Sequence, residues 1–261
     1  MYRKIMGFLE AWKESKHRKP LILQGARQVG KTYSILEFGR THYENVAYFN
    51  FETNPKLNET FEENISPDYL IPILSHIAGQ TIVKEKTLMV FDEVQLCERA
   101  LTSLKYFCEN APDYHIIVAG SLLGVAVNRT KFSFPVGKVD MKTLYPMDME
   151  EFMMALGEDD LVNQIKKCFQ TDTPLPSALH DAAMQLYRQY LVVGGMPECV
   201  MQFAGTKDYI LVRHTQDTIL ASYLNDMSKY NTLNEIKKTR LAYDNITVQL
   251  SKKNTSRKAT A

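Results

Sequence analysis

Nothing in the 261 residues supplies a membrane span, a disulfide framework or a strong electrostatic field. Polar residues break every apolar run well short of membrane-spanning length. The N-terminal stretch MYRKIMGFLEAWKESKHRK interleaves charges with apolar positions, so it has no h-region and is not a secretory signal. The four cysteines (Cys97, Cys108, Cys168, Cys199) are scattered, with no Cys-x-x-Cys pair. Zinc and disulfide chemistry are therefore unsupported, and buried free thiols are expected instead. The six histidines (His17, His42, His76, His115, His180, His214) are equally dispersed. Formal net charge is only +1, so nucleic acid would need a localised basic patch. These absences together point to the cytoplasm and to no membrane partner.

What is present is alternation. Leu21–Leu23, Val46–Phe49, Leu88–Phe91 and Ile116–Ala119 have strand length and sit beside Gly, Asn or Asp breakers. A further strand is expected at Val139–Leu144. Helical patterns separate them at Thr32–Phe38, Tyr69–Ala78 and Ala100–Glu109, and Tyr2, Ile5, Met6, Leu9 and Trp12 share one face of an N-terminal helix. Such alternation predicts an α/β fold, a parallel sheet with helices on both faces.

Pro146 marks a change of style. Asp148 is suited to cap a helix, with Glu151 three residues later completing a capping box. Helical patterns then follow at Leu161–Phe169, Leu179–Tyr190, Glu198–Phe203, Tyr209–Met227 and Leu233–Leu250, with TDTPLPSAL as a loop. The expected organisation is a core over 1–145, a smaller mainly helical domain over 146–250 and a polar, disordered tail over 251–261.

One motif carries specific chemistry. Gly25-Ala26-Arg27-Gln28-Val29-Gly30-Lys31-Thr32 fits G-x-x-x-x-G-K-[ST] in full, after a strand and before a helix that opens with Tyr33. The glycines let successive N–H groups point at phosphate oxygens, and the helix adds its positive end. Lys31 is suited to the β- and γ-phosphates, and the Thr32 hydroxyl to Mg²⁺. Further on, Thr87-Leu-Met-Val-Phe-Asp92-Glu93 reads as a buried strand ending in two acids. There Asp92 can hold Mg²⁺ through water, and Glu93 can polarise an attacking water as the catalytic group. Gly120-Ser121 ends the next strand, where Ser121 is a candidate contact to the γ-phosphate or the water, or simply part of a turn. Arg27, Arg129 and Lys138 are open candidates for stabilising developing negative charge.

GARQVGKTY, YFNFE, TLMVFDEVQ, VAGSLLG, TLYPMDMEEF, YLVVGGMPECV and QDTILASYLNDMSKY, in that order, span nearly the whole chain. This series resembles the bacterial and archaeal AAA-type P-loop ATPases of the "ATP-binding protein" group, relatives of the signal-transduction (STAND-like) NTPases. The resemblance implies the additional-strand P-loop fold, with a strand between the phosphate-loop strand and the Asp-Glu strand. It also implies ATP with Mg²⁺ as cofactors, Glu93 as base and a lid-like helical domain whose Pro197, in Gly195-Met196-Pro197, lies near the adenine. Helix-end chemistry alone also explains that tripeptide. Lys138 stands where the group commonly has arginine, so any role of that arginine is in doubt here. Members usually carry a further C-terminal domain with a suspected nuclease-like fold, but no nuclease activity is expected from the residues present.

Hydrolysis of ATP, with nucleotide state coupled to the helical domain, is the leading expectation because binding alone needs no water-activating carboxylate. A nucleotide-gated switch with little turnover and a DNA-dependent ATPase stay open as alternatives. Expected partners are ATP and ADP, with a protein effector or a second copy of the chain as further candidates. The charge balance lends nucleic acid no support.

Overall fold

The computed structural model describes residues 2–120, 135, 137–229 and 233–252. Two compact units divide the chain, Met1–Lys207 and Asp208–Ala261. In the first unit, β1 (Leu21–Gln24), β2 (Asn45–Asn50), β3 (Thr87–Asp92), β4 (His115–Gly120) and β5 (Asp140–Thr143) form one sheet. Its order is β2-β3-β4-β1-β5, and every neighbouring pair is parallel. The strand inserted between β1 and β3 is β4, as the additional-strand expectation requires.

Burial follows position in the sheet. The central strands β3 and β4 are buried at every residue, which is why their sequences are continuous apolar runs rather than alternating ones. The edge strand β5, Asp-Met-Lys-Thr, exposes Met141 and Lys142, and charge on an edge discourages pairing with another chain.

Side chains at successive strand positions point to opposite faces and build two separate cores. Leu21, Leu23, Leu88, Val90, Ile117 and Ala119 pack with Ile5, Leu9 and Trp12 of α1 (Ile5–Glu14) and Ile35 and Phe38 of α2 (Lys31–His42). Ile22, Phe49, Met89, Phe91, Ile116 and Val118 face the other way. They meet α3 (Lys56–Glu63), α4 (Pro67–Ala78) and α5 (Glu98–Asn110) through Leu57, Phe61, Leu70, Leu74, Leu104 and Phe107. Helix α3 is an addition to the sequence reading. Its eight residues carry only two buried anchors, Leu57 and Phe61, too few to register as a period.

After β5 the first unit continues through α6 (Met149–Ala155), α7 (Asp159–Gln170), α8 (Ser177–Val193) and α9 (Pro197–Thr206). The capping box at α6 is formed: Asp148 accepts from the Glu151 N–H, and Glu151 accepts from the Asp148 N–H. Gly194 ends α8 and Pro197 opens α9, so the helix-end reading of that turn holds. The second unit comprises two long helices, α10 (Tyr209–Lys229) and α11 (Leu233–Ser251). Ser251 still belongs to α11, and 253–261 of the expected tail lie outside the described residues. Among the described residues no helix is long and apolar enough to cross a membrane.

At the N-terminal edge of the sheet, His115 is buried against Trp12, and its Nδ1 lies 2.7 Å from the Tyr43 hydroxyl. Burial, followed by the charges of Arg18 and Lys13, lowers its pKa from 6.5 to about 4. The unfolded chain therefore binds a proton that the folded chain refuses between those values. His115 contributes a stability that is complete above pH 6.5 and is lost as pH falls toward 4. Urea titrations at stepped pH are expected to show this decline in the natural chain and a flatter profile in His115→Gln.

Candidate nucleotide site

The C-terminal ends of parallel strands leave backbone and side-chain groups facing a common edge, where ligands of open α/β sheets bind. Here that edge carries the ends of β1, β2, β3 and β5, with Gln24 in register with Gly120 and Thr143, and Asn50 in register with Asp92.

The loop leaving β1 is shaped by two glycines and their neighbours. Gly25 has φ 155°, and a Cβ there would lie 2.2 Å from the Leu144 carbonyl oxygen, so only glycine allows the segment after β5 to pass this close. That segment is itself tied to β1, since the Leu144 N–H donates to Gln24 O at 2.8 Å. Gln28 and Gly30 both have positive φ, at 61° and 89°. Alternation of left- and right-handed residues turns successive N–H groups toward one concavity, a nest suited to anions. The Val29 side chain, fully buried in the α1–α2 core, anchors the far side of the loop. Ala26, Gln28 and Tyr33 expose their side chains, and Arg27 is half-buried.

Lys31, only 8% exposed, folds back across the loop and donates to Gly25 O at 2.9 Å and Ala26 O at 2.7 Å. Burial holds its ammonium below the usual lysine range. The Glu93 and Asp92 carboxylates pull it back up, and Arg27 pushes it further down. Thr32 Oγ1 donates to Asp92 Oδ2 at 2.9 Å, so the loop and the end of β3 are in direct contact. Tyr48 OH donates to the same oxygen at 2.8 Å, and Asn50 Nδ2 donates to Tyr48 OH at 3.2 Å. The Tyr48 hydroxyl is pushed up to about 12, first by burial, opposed by the Asn50 hydrogen bond and reinforced by Asp92. Glu93 sits at φ 52° with its N–H on Asp92 Oδ1, and its carboxylate accepts a hydrogen bond from the Gln95 amide. The left-handed backbone at Glu93 turns this carboxylate away from the strand direction that Asp92 follows.

Lys31, Thr32, Asp92 and Glu93 are thus brought together as the sequence implied. Pro197 joins them from α9: a Cβ on Gly30 would lie 3.7 Å from Pro197 Cγ, so the first turn of α9 flanks the loop. Lys138 is one of three open candidates for a cation. It stands before β5, at the opposite edge of the sheet from the loop, and pairs with Glu109 at 2.9 Å, so it is not the cation of this site. Ser121 and Arg129 lie outside the described residues. Tyr48, Asn50 and Gln95 received no role from the sequence. Tyr48 and Asn50 lie in the quoted YFNFE, but nothing in a single strand says which neighbouring strand it will face.

The donor set also bears on a metal. A hydroxyl and a carboxylate oxygen lie side by side at Thr32 and Asp92, both hard ligands. Among the described residues no group of three or more His, Cys, Asp or Glu side chains could hold a metal ion. Mg²⁺ fits this arrangement, because it takes one or two protein oxygens and completes its sphere with phosphate and water.

Sheet order, inserted strand and glycine loop define the chain as a P-loop NTPase fold of the additional-strand type. It belongs to the AAA domain family, whose profile matches residues 17–153, more than half of the chain. Residues 184–260 match a domain of unknown function (DUF8612). No curated protein matches the chain. Among solved structures it is similar to PCH-2 of C. elegans, at 11% identity over 95% of this chain and 68% of that one, with TM-score 0.42. It is also similar to the Thermotoga maritima RuvB Holliday junction branch migration motor, at 13% identity over 92% and 67%, with TM-score 0.42. The Aeropyrum pernix ORC2 protein, seen in ADPNP-ADP complexes, matches at 15% identity with TM-score 0.39. The match covers 60% of this chain and 52% of that protein, so this chain spans about half of its length. These likenesses concern the fold alone.

Because the Leu144 carbonyl occupies the place of a Gly25 side chain, Gly25→Ala is expected to destabilise the first unit by about 1–3 kcal/mol. Ala26→Ser, at the exposed neighbouring position, is expected to stay within about 0.5 kcal/mol. Urea midpoints of the two variants check both.

Proposed function

We propose that this chain binds ATP with Mg²⁺ and hydrolyses it. The observation that carries this reading is the joining of the loop to the acidic strand end by the Thr32–Asp92 hydrogen bond, with Lys31 and Glu93 beside it. The N–H groups of residues 25–32 hold the phosphates, with the positive end of α2 behind them. Lys31 leaves its two carbonyl partners and neutralises phosphate charge, in a site dry enough for one cation to count heavily. Thr32, and Asp92 through water, would hold Mg²⁺, which when bound would neutralise charge on the phosphate oxygens. Glu93 accepts the proton of the attacking water, and Ser121 serves as the γ-phosphate contact. Pro197 and its neighbours line the base side, and ATP is taken as the nucleotide from the family resemblance alone.

In the same proposal the chain is organised as a core over 1–145 and a helical lid-like region over 146–250 that responds to nucleotide state, in the manner of STAND-like NTPases. The readout is a protein effector or a second copy of the chain.

A nucleotide-gated switch with slow turnover is the second reading. It is favoured by the Gln95 amide, which holds the carboxylate that would take the proton. Titration with ATP and assay of phosphate release, with and without DNA, separate these readings. Lys31→Ala is expected to lose ATP binding. Glu93→Gln is expected to bind ATP while phosphate release falls by about a hundredfold or more. Normal turnover in Glu93→Gln would remove Glu93 from the chemistry. Stimulation by DNA that fades with salt would favour the DNA-dependent ATPase instead.

A further inference from the structure

Arg3 lies outside every motif of the sequence, yet it is only 3% exposed. Its guanidinium reaches three separate segments: Nη1 donates to Val29 O at 2.8 Å, Nη2 to Tyr145 O at 2.8 Å, and Nε to Glu151 Oε1 at 3.1 Å. Glu151, itself 5% exposed, is fully engaged. Its Oε1 also accepts the Lys4 N–H at 2.7 Å, and its Oε2 accepts the Asp148 N–H of the capping box. Lys4 closes the set from outside through Asp148 and Glu150, each at 2.7 Å.

A buried Arg–Glu pair is weak as a source of stability, because desolvation offsets its Coulomb attraction. What this pair fixes is the orientation of a peptide group. The Val29–Gly30 bond is trans, as are all described peptides, so its C=O and N–H point in opposite directions. Gly30 has φ 89° and no Cβ, so rotation of this peptide plane meets little local resistance. The hydrogen bond from Arg3 supplies the missing resistance by holding the carbonyl on the Arg3 side.

We infer that Arg3, braced by Glu151, is a positioning residue for the nucleotide: it holds the Val29–Gly30 peptide with its N–H turned into the phosphate loop. The same contact ties the loop to the first turn of α6. Pro197 abuts the other side of the open Gly30 position, where a Cβ would also lie 3.5 Å from Arg3 Nη1. The loop therefore cannot reorient this peptide without disturbing α6. The inference rests on the proposed nucleotide reading. It acts on binding, which ground state and transition state share, so it appears in affinity and KM rather than in kcat.

The test compares the natural chain with Arg3→Ala, Arg3→Lys and Glu151→Gln. ADP affinity, ATP turnover and peptide-resolved hydrogen exchange of the nucleotide-free chain are measured. Arg3→Ala is expected to weaken ADP binding and raise KM by about tenfold or more, leaving kcat within about threefold. Exchange is expected to accelerate in peptides covering 25–32 and not across the sheet. Arg3→Lys keeps the charge but lacks the fork, so it is expected to resemble Arg3→Ala. Glu151→Gln keeps an acceptor for Nε and is expected to fall between the natural chain and Arg3→Ala. Natural affinity in Arg3→Ala overturns the inference, as does exchange that accelerates equally in all strands. Should Arg3→Ala fail to fold, natural affinity and loop exchange in a folded Arg3→Lys overturn it equally. If the natural chain binds no nucleotide, the proposed function fails, and loop exchange in the nucleotide-free variants still decides whether Arg3 holds the peptide.

Discussion

The Thr32 hydroxyl and the Asp92 carboxylate, 60 positions apart in the chain, meet at 2.9 Å. They meet because β4 alone lies between β3, which ends in Asp92, and β1, whose loop leads into the start of α2 at Thr32, each parallel pairing contributing about 4.8 Å. Both faces of that three-strand centre are covered, by α1 and α2 on one side and by α3, α4 and α5 on the other. Such double cover is what a parallel sheet requires, and it makes the site's frame rigid. Phe91, T-shaped against Phe49, Phe51 and Phe61, locks the residue immediately before Asp92. The carboxylate inherits its position from this packing.

The segment following β5 is the second organising element. It passes the loop at Gly25, turns under Gly195, where a Cβ would lie 2.1 Å from Met147 O, and enters α6 through the Asp148–Glu151 capping box. Phosphate loop, α6 and the start of α9 therefore share one small volume of the first unit. Arg3 and Glu151 are buried within it. In a region this dense a shift at the loop is passed on rather than absorbed, because close-packed interiors have few voids to take it up.

Much of this was legible before any coordinates. The apolar runs Leu21–Leu23, Leu88–Phe91 and Ile116–Ala119 announce buried parallel strands, because strands covered on both faces have no polar side to show. Gly25, Gly30, Lys31 and Thr32 announce an anion nest, because their chemistry is local: it needs only a turn and a helix start. Asp148 and Glu151 announce their cap for the same reason. Helix α3, with two anchors in eight residues, was silent. Lys138 was one of the open candidate cations that the sequence could not choose between, and it lies before β5, paired with Glu109.

The sequence by itself determined the alternation of strands and helices, the identity of the loop and the adjacency of the two acids, since each is written in residues close together in the chain. Only the tertiary structure decided which side chains share an atom. Tyr48 on Asp92 and Arg3 on Val29 are contacts between residues far apart in the chain. They depend on the order of strands in the sheet and on the segment before α1, where Arg3 lies 26 positions ahead of the carbonyl it reaches. None of these is a property of a local window, because hydrogen bonds to distant partners are selected by the packing of the whole core.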